Sequence, residues 1–365
     1  MNPFFIIIPF LIFMAFIGSN TIEENNSSIE TKIENPDKIY YRIISIIMLL
    51  VFWGLTAFRS VNIGNDTVTY IKTFKRISYY GVMDTLYMEK GFQYFSFIIS
   101  RIFGTDGHAF LIICASIGYI SVGVFILKKS QNYFISICLT FVFLFSCYTN
   151  TLRQGIAMSI GVLVYIFLQK GRKLLPIILI ILAMQFHYTA VILFSLFLFK
   201  FTPKKFRTVF IVSIVLLFIS ISGIFNHFIM LLIPHGQSYF GSARVGTGYL
   251  ALSYELIRDL IFCYFAYLAY EENRTDENLR RMMLFVVCVI TTSISFGMNL
   301  IARANGYMLI LQVVELANVF MNMKNVNKRI YTFLSCAVML LYFIVVQLLR
   351  PEWNHLLPYE FWKSY

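Results

Sequence analysis

The stretch from Tyr148 to Leu193 reads YTNTLRQGIAMSIGVLVYIFLQKGRKLLPIILIILAMQFHYTAVIL. Two apolar runs flank the basic turn Lys170–Lys173, and they contain Arg153 and His187. An arginine at membrane depth costs about 3 kcal/mol or more unless it is paired or faces a watery cavity. Ionisable residues in such runs usually mark functional sites. The stretch therefore predicts membrane helices that carry a site.

The composition of the whole chain extends this interpretation. Its 365 residues are 59% hydrophobic and 13% charged, whereas soluble domains carry about 25% charged residues. Several apolar runs reach the roughly 20 residues that a helix needs to cross a bilayer. We predict an all-α polytopic membrane protein, a multi-span helical bundle in a single integral membrane domain over residues 1–365. No strand alternation indicates an outer-membrane barrel.

Charge and cysteine usage exclude other classes. The formal net charge is +12, but most Lys and Arg residues lie in short turns between spans, which is typical of positive-inside topology and does not indicate nucleic-acid binding. The six cysteines fall in apolar runs without CxxC spacing, so we predict neither a disulfide framework nor a thiolate zinc site. The first apolar run, Pro3–Gly18, lacks a basic n-region and is interpreted as a retained span.

The apolar runs predict the following spans: Pro3–Gly18, Tyr40–Phe58, Asp106–Leu127, Tyr133–Cys147, Thr151–Gln169, Thr208–Phe225, Leu250–Tyr270, Met282–Leu300, Met308–Met323 and Ile330–Leu349. Gly91–Phe103 is too short to cross comfortably and is re-entrant or interfacial. Leu174–Phe199 has basic clusters at both ends, which places both ends in the cytoplasm. We therefore predict a broken, re-entrant pair of half-helices that turns near residues 186–188.

This topology gathers polar segments at the outer face. We predict an outer loop at 59–90, a second at 226–249, and an extracytoplasmic tail at 350–365. Arg153, His187, Arg244 and Arg303 share this face, and Asp66 and Glu89 join them if Gly91–Phe103 does not cross.

Arginines around a cavity suit a pyrophosphate, because guanidinium groups bind phosphate oxygens bidentately. His187 can act as a base on a hydroxyl, and Asp66 can orient an acceptor or share that role. The candidates for binding pyrophosphate or glycan are Arg153, Gln154, Arg303, Tyr307, Arg59, Glu89 and Arg244. No metal or cofactor is predicted, and no P-loop, GxSxG, HExxH or DxD motif occurs.

Structural alternatives stand beside these roles. Arg153 and Arg303 could snorkel to headgroups, and backbone groups could satisfy His187. Asp66 could cap a helix over Thr67–Phe74, and Glu89 could form an interfacial ion pair with Lys90. Arg258 and Asp259 are interpreted as a mutually neutralising pair.

Five motifs in order resemble the EpsG-type membrane proteins, which belong with the Wzy-type polymerases of bacterial surface polysaccharides. They are IGNDTVTY (Ile63–Tyr70), MEKGF (Met88–Phe92), TLRQGIA (Thr151–Ala157), FHYTA (Phe186–Ala190) and PYEF (Pro358–Phe361). Arg303 with Tyr307 is similar to a late Arg…Tyr element. The chain lacks the very large outer loops of many O-antigen polymerases and ligases.

The resemblance implies a GT-C-like glycosyltransferase at the outer face of the bacterial inner membrane. It would join undecaprenyl-pyrophosphate-linked donor and acceptor glycans into O antigen or exopolysaccharide, without a metal. Arg153 would bind pyrophosphate, His187 would act as the base, and Asp66 would belong to the substrate site. A chain-length regulator protein is a possible partner, besides membrane lipid.

Two other classes remain open. A lipid-linked oligosaccharide flippase would also use half-helices and intramembrane charges, although the sequence has no evident internal repeat. Another lipid-linked transferase, such as a glycan ligase or an acyltransferase built around a membrane histidine, is the third hypothesis.

Overall fold

The computed structural model describes residues 2–24, 36–83, 86, 88–198, 206–222, 249–296, 299–324 and 327–363. The helices of the first half are α1 (Phe4–Glu24), α2 (Pro36–Ala57), α3 (Thr67–Tyr80), α4 (Lys90–Phe103), α5 (Gly107–Lys129), α6 (Tyr133–Asn150), α7 (Leu152–Gln169) and α8 (Leu174–Met184). A 3-10 helix over Tyr188–Leu198 follows α8.

The second half contains α9 (Phe206–Ile221), α10 (Tyr249–Glu272), α11 (Asp276–Ser295), α12 (Asn299–Asn322) and α13 (Lys328–Leu349), followed by a short 3-10 turn at Pro351–Trp353. Regular structure in the described residues is helical throughout, with one isolated β-bridge between Arg59 and Phe361.

Eight helices in the described residues are long and apolar enough to cross a membrane. Their candidate spans are Phe4–Thr21, Ile39–Ala57, Gly107–Lys129, Tyr133–Asn150, Leu152–Gln169, Asp276–Ser295, Arg303–Asn322 and Lys328–Leu349. The predicted all-α polytopic membrane fold is confirmed. Two further predicted spans form helices that are not among the eight: α9 has 16 residues, and α10 carries Glu255, Arg258 and Asp259 near its middle.

The predicted interruption of the run Leu174–Phe199 is confirmed. α8 ends at Met184, and the 3-10 helix begins at Tyr188. The N–H groups of Phe186 and His187 both donate to Ala183 O at 3.0 Å, which closes the turn between the two segments. The second segment is a 3-10 helix of 11 residues, an unusual length for this geometry.

α3 and α4 are two 14-residue helices. At 1.5 Å per residue each extends about 21 Å, which is less than the roughly 30 Å of a bilayer core. α4 therefore agrees with the prediction that Gly91–Phe103 does not cross. α3 lies inside the segment 59–90 that we predicted as a loop, because its low hydropathy conceals an amphipathic helix.

The chain divides into two compact units, Met1–Ala190 with Asn325–Tyr365, and Val191–Lys324. In the first unit, α3, α4, α5 and α7 share a core cluster that includes Tyr70, Phe74, Phe92, Phe110 and Leu152. The rings of Phe74 and Phe110 stack with centroids 4.5 Å apart. This core fixes the two short helices against the first turns of α5 and α7.

The second unit contains α9 to α12. Its largest helix contacts join α10 to α11 and α11 to α12. The prediction of a single membrane domain and the outer placement of 59–90 and 350–365 stay predictions, and 226–248 lies outside the described residues.

Candidate functional site

Arg153 lies in the first turn of α7. Its Nη1 donates to Glu89 Oε2, and its side chain also donates to the Tyr70 hydroxyl. Its Nε is buried and has no hydrogen-bond partner among the described residues. The side chain is 20% exposed. Arg153 is therefore paired, yet it keeps an accessible edge and donors that are not all used.

Glu89 connects Arg153 to the break after α8. Its second carboxylate oxygen, Oε1, accepts a hydrogen bond of 3.2 Å from the backbone N–H of Tyr188. The Glu89 side chain is only 6% exposed. One buried carboxylate thus bridges the start of α7 and the start of the 3-10 helix. From the sequence we considered Lys90 as the ion-pair partner of Glu89, and we did not predict its contact with Arg153.

The start of α4 packs directly on the same break. The Phe92 N–H donates to Gln185 O at 3.2 Å. A Cβ added to Gly91 would lie 2.7 Å from Gln185 O and 2.6 Å from Gln185 Cβ, so only glycine fits at this position without displacement. Phe95 and Phe186 form an edge-to-face pair with centroids 5.8 Å apart. The MEKGF and FHYTA motifs are therefore in direct contact.

His187 lies in the turn that these contacts hold. Its Nδ1 is 2.6 Å from Thr189 Oγ1, and its backbone carbonyl accepts from Ala190 N at 3.0 Å. The side chain is 9% exposed. Glu89 accepts from the N–H of Tyr188, so the carboxylate that holds Arg153 is bound to the peptide group that directly follows His187.

Tyr70 is a residue of the site to which we assigned no role from the sequence. Both the side chain and the first-turn N–H of Arg153 donate to its hydroxyl; first-turn N–H groups of a helix have no intrahelical partner. Burial raises the pKa of Tyr70, and the nearby Arg153 lowers it by less. Tyr70 is consequently a neutral phenol at physiological pH and leaves the charge of Arg153 to Glu89.

Arg59 organises the loop before α3. It is fully buried and donates to Thr149 O at 3.0 Å, to Thr56 O, and to Thr67 Oγ1 at 3.4 Å. Burial lowers the pKa of Arg59 to about 10, so the guanidinium remains charged near neutral pH. These contacts join the loop to the α6–α7 corner. Its predicted role in substrate binding stays a prediction.

The loop 60–66 closes on the same corner. Asn65 N donates to Asn150 Oδ1 at 2.6 Å. Gly64 has φ +87°, and a Cβ there would lie 2.7 Å from Thr149 O. Asp66 precedes α3 as predicted, but the described structure gives its side chain no capping hydrogen bond. Its carboxylate is exposed, so Asp66 occupies the predicted N-cap position of α3 but does not cap the helix through its side chain.

The tail forms the other wall of this loop. Ser60 N donates to Glu360 O at 2.8 Å, and Trp362 N donates to Phe58 O at 2.8 Å. Gly64 N donates to His355 O at 3.0 Å. The PYEF motif and the IGNDTVTY motif are thus adjacent. All five motifs converge at one end of the first unit, where α2 and α6 end and α5 and α7 begin.

The remaining predicted residues are placed as follows. Gln154 is buried beside Arg153 in α7, with 4% of its surface exposed. Arg303 is exposed and Tyr307 is fully buried, both in α12 of the second unit. Arg244 lies outside the described residues. Whether Arg303 and Arg244 share a face with Arg153 stays a prediction.

The predicted pairing of Arg258 with Asp259 is confirmed. Arg258 Nη2 lies 2.9 Å from Asp259 Oδ1, and Thr292 Oγ1 donates to Asp259 Oδ2 at 2.6 Å. A second buried pair, Arg281 Nε to Glu315 Oε2 at 2.9 Å, was not predicted. Both pairs lie in the second unit, where Arg281 and Glu315 join α11 to α12, whereas Arg258 and Asp259 are neighbours within α10.

Among the described residues, no group of three or more His, Cys, Asp or Glu side chains could hold a metal ion. The eight candidate spans define a multi-pass α-helical membrane protein. The chain belongs to the EpsG family, whose sequence profile matches residues 42–361. Membership of this family is consistent with a polysaccharide polymerase or glycosyltransferase. No curated protein and no solved structure matches the chain significantly.

Proposed function

We propose that the protein is a glycosyltransferase that polymerises undecaprenyl-pyrophosphate-linked repeat units into O antigen or exopolysaccharide at the outer face of the bacterial inner membrane. The observation that carries the proposal is the junction of Arg153, Glu89 and the His187 turn. Family membership supports the same class of reaction.

In the proposed reaction, a hydroxyl of the acceptor glycan attacks the anomeric carbon of the donor sugar. A new glycosidic C–O bond forms, the bond between that carbon and the phosphate oxygen breaks, and undecaprenyl pyrophosphate leaves. His187 takes the proton of the attacking hydroxyl, since an imidazole titrates near neutral pH. Arg153 stabilises the charge that develops on the leaving pyrophosphate. The exposed Asp66 orients the acceptor.

The pairing of Arg153 with Glu89 fits this role. A guanidinium has five N–H donors in a fixed plane. Glu89 holds one edge of the Arg153 plane, and the 20% exposure of the side chain leaves part of it to a ligand. The carboxylate also sets the orientation of the arginine before the reaction, so less reorganisation is needed when charge develops on the leaving group.

The test compares Arg153→Ala and His187→Ala with Arg172→Ala, an exposed arginine in the basic turn after α7. Polymer length is measured in cells that depend on the plasmid-borne protein, and chain extension is measured with purified protein and a lipid-linked repeat unit. We expect loss of extension of at least about 100-fold for the first two variants and none for the third. Full-length polymer with both site variants at normal protein levels would reject the proposed site.

A lipid-linked oligosaccharide flippase is the second candidate, favoured by the break between Met184 and Tyr188, because transporters commonly bind substrates at broken helices. Proteoliposomes separate the two functions. New glycosidic bonds without lipid movement indicate a polymerase, and movement without new bonds indicates a flippase. Transfer to a different acceptor lipid would indicate a ligase. A chain-length regulator protein is a further proposed partner.

A further inference from the structure

α3 has one buried face and one cationic face. Its buried side chains include Tyr70, Phe74 and Ile77. The opposite side exposes residues spaced three and four apart, which places them in one row along the helix. We call this row the basic stripe: Lys72, Lys75, Arg76, Tyr79 and Tyr80. Tyr79 and Tyr80 are 73% and 75% exposed.

α4 has an exposed apolar face beside it. We define the apolar stripe as Tyr94, Ile98 and Ile102, which are 57%, 58% and 67% exposed and recur every four residues. Neither α3 nor α4 contains an Asp or Glu residue. A helix pair with exposed cations, exposed tyrosines and exposed aliphatic side chains has the composition of a helix that lies in the headgroup region of a membrane.

The packing of the pair places it at the level of span ends. A Cβ added to Gly107, the first residue of α5, would lie 2.8 Å from Ile71 Cγ2. Phe74 stacks on Phe110, also in the first turn of α5. Tyr70 contacts Arg153 in the first turn of α7. α3 therefore lies across the beginnings of two candidate membrane spans.

The basic stripe lies far from the basic turn to which we assigned a topological role. α7 begins beside Tyr70 and ends at Gln169, just before Lys170–Lys173. Its 18 residues separate the two basic regions by about 27 Å along the helix axis. The basic stripe therefore lies at the end of α7 opposite to the turn Lys170–Lys173, where the positive-inside bias does not explain its cations. Binding of an anion is the simpler explanation of these cations.

We propose that α3 and α4 form an interfacial platform that binds anionic phospholipid: the basic stripe contacts lipid phosphates, and the apolar stripe inserts among acyl chains. Charge complementarity favours this occupant, because each Lys or Arg close to an anionic bilayer surface raises the binding constant for that surface by roughly fivefold. The platform would keep the rim of the Arg153 site at the depth of lipid phosphates, but it requires no particular reaction there.

Photo-crosslinking of the full-length protein in nanodiscs tests the platform. A benzoylphenylalanine at position 79 is activated in phosphatidylcholine nanodiscs with 30% phosphatidylglycerol, and the captured lipid is identified by mass. We expect the ratio of captured phosphatidylglycerol to captured phosphatidylcholine to exceed the ratio of the two lipids in the nanodisc by about tenfold. The triple variant Lys72→Gln, Lys75→Gln, Arg76→Gln should lose this preference. The matched variant Lys170→Gln, Arg172→Gln, Lys173→Gln should keep it.

A second probe guards against a misfolded triple variant. Benzoylphenylalanine in place of Ile98 should capture acyl chains of either lipid, in the wild-type background and in the triple variant alike. Capture of both lipids in proportion to their amounts at position 79, or no lipid at position 98, would overturn the proposal. Displacement of lipid from position 79 by an added acidic polysaccharide such as alginate would also overturn it, since the stripe would then bind glycan. Lipid capture is measured without polymerisation, so either proposal can fail alone.

Discussion

The ion pair between Arg153 and Glu89 can be tested by a double-mutant cycle. Glu89→Gln removes the carboxylate charge but keeps an oxygen that can accept from the Tyr188 N–H. Arg153→Gln removes the guanidinium, and the double variant removes both. The free energy of unfolding is measured by SDS titration in mixed micelles, and activity is not required for the readout.

The size of the coupling follows from burial. Removing one partner of a fully buried pair costs about 3–5 kcal/mol, whereas exposed pairs contribute about 0–1 kcal/mol. Glu89 is 6% exposed and Arg153 is 20% exposed, so we expect a coupling energy of about 2 kcal/mol between these limits. Glu89→Gln alone should lower the free energy of unfolding by at least about 2 kcal/mol in the same titration, because it leaves the Arg153 charge without its carboxylate.

The exposed pair of Arg274 and Glu271, with side chains 68% and 35% exposed, provides the matched cycle. Its coupling should stay below about 0.5 kcal/mol. If the Arg153 and Glu89 substitutions also add within about 0.5 kcal/mol, the carboxylate does not hold the arginine. The explanation of how Arg153 is positioned would then be refuted.

Three further substitutions follow from the packing. Gly91→Ala should destabilise the fold by about 1–3 kcal/mol in the SDS titration, because the new Cβ would meet the Gln185 backbone. Gly54→Ala is the control: no described atom lies within 4 Å of its new Cβ, so this variant should be neutral or stabilising. Arg59→Gln should cost about 2–4 kcal/mol by leaving buried oxygens without donors, and wild-type stability would contradict its structural role. Asp259→Ala should lower the free energy of unfolding by about 3 kcal/mol, because it removes the acceptor of a buried guanidinium. Thermal unfolding measures this loss, and an unchanged melting temperature would contradict the stabilising role of the Arg258–Asp259 pair.

Much of the fold could be predicted from apolar runs and basic turns. The break in the run Leu174–Phe199 could be predicted, because basic residues flank the run on both sides and the polar Gln185 and His187 interrupt it. α3 was predicted only as a helical turn after Asp66 within the loop 59–90, because its mean hydropathy is low. The spacing of Tyr70, Phe74 and Ile77 indicates an amphipathic helix. A hydropathy average over a window as long as a membrane span does not detect this spacing.

The site was less predictable, since its contacts join segments that are distant in sequence. Arg153 and Glu89 are separated by 64 positions, and Glu89 next to Lys90 suggested a local ion pair instead. Glu315 lies in an apolar run, and its ion pair with the buried Arg281 joins positions 34 residues apart. Motif order indicated that these segments matter, but not which atoms bind each other.

The wall that residues 355–362 build against residues 58–64 has a consequence for biosynthesis. About 300 residues separate the two segments, and a ribosome that adds 5–20 residues per second needs roughly 15–60 s to cover that distance. Throughout this interval the N–H groups of Ser60 and Gly64 lack their eventual acceptors, Glu360 O and His355 O. The first half of the nascent chain can insert into the membrane early, but the loop at residues 58–64 takes its final form only after translation has passed residue 362.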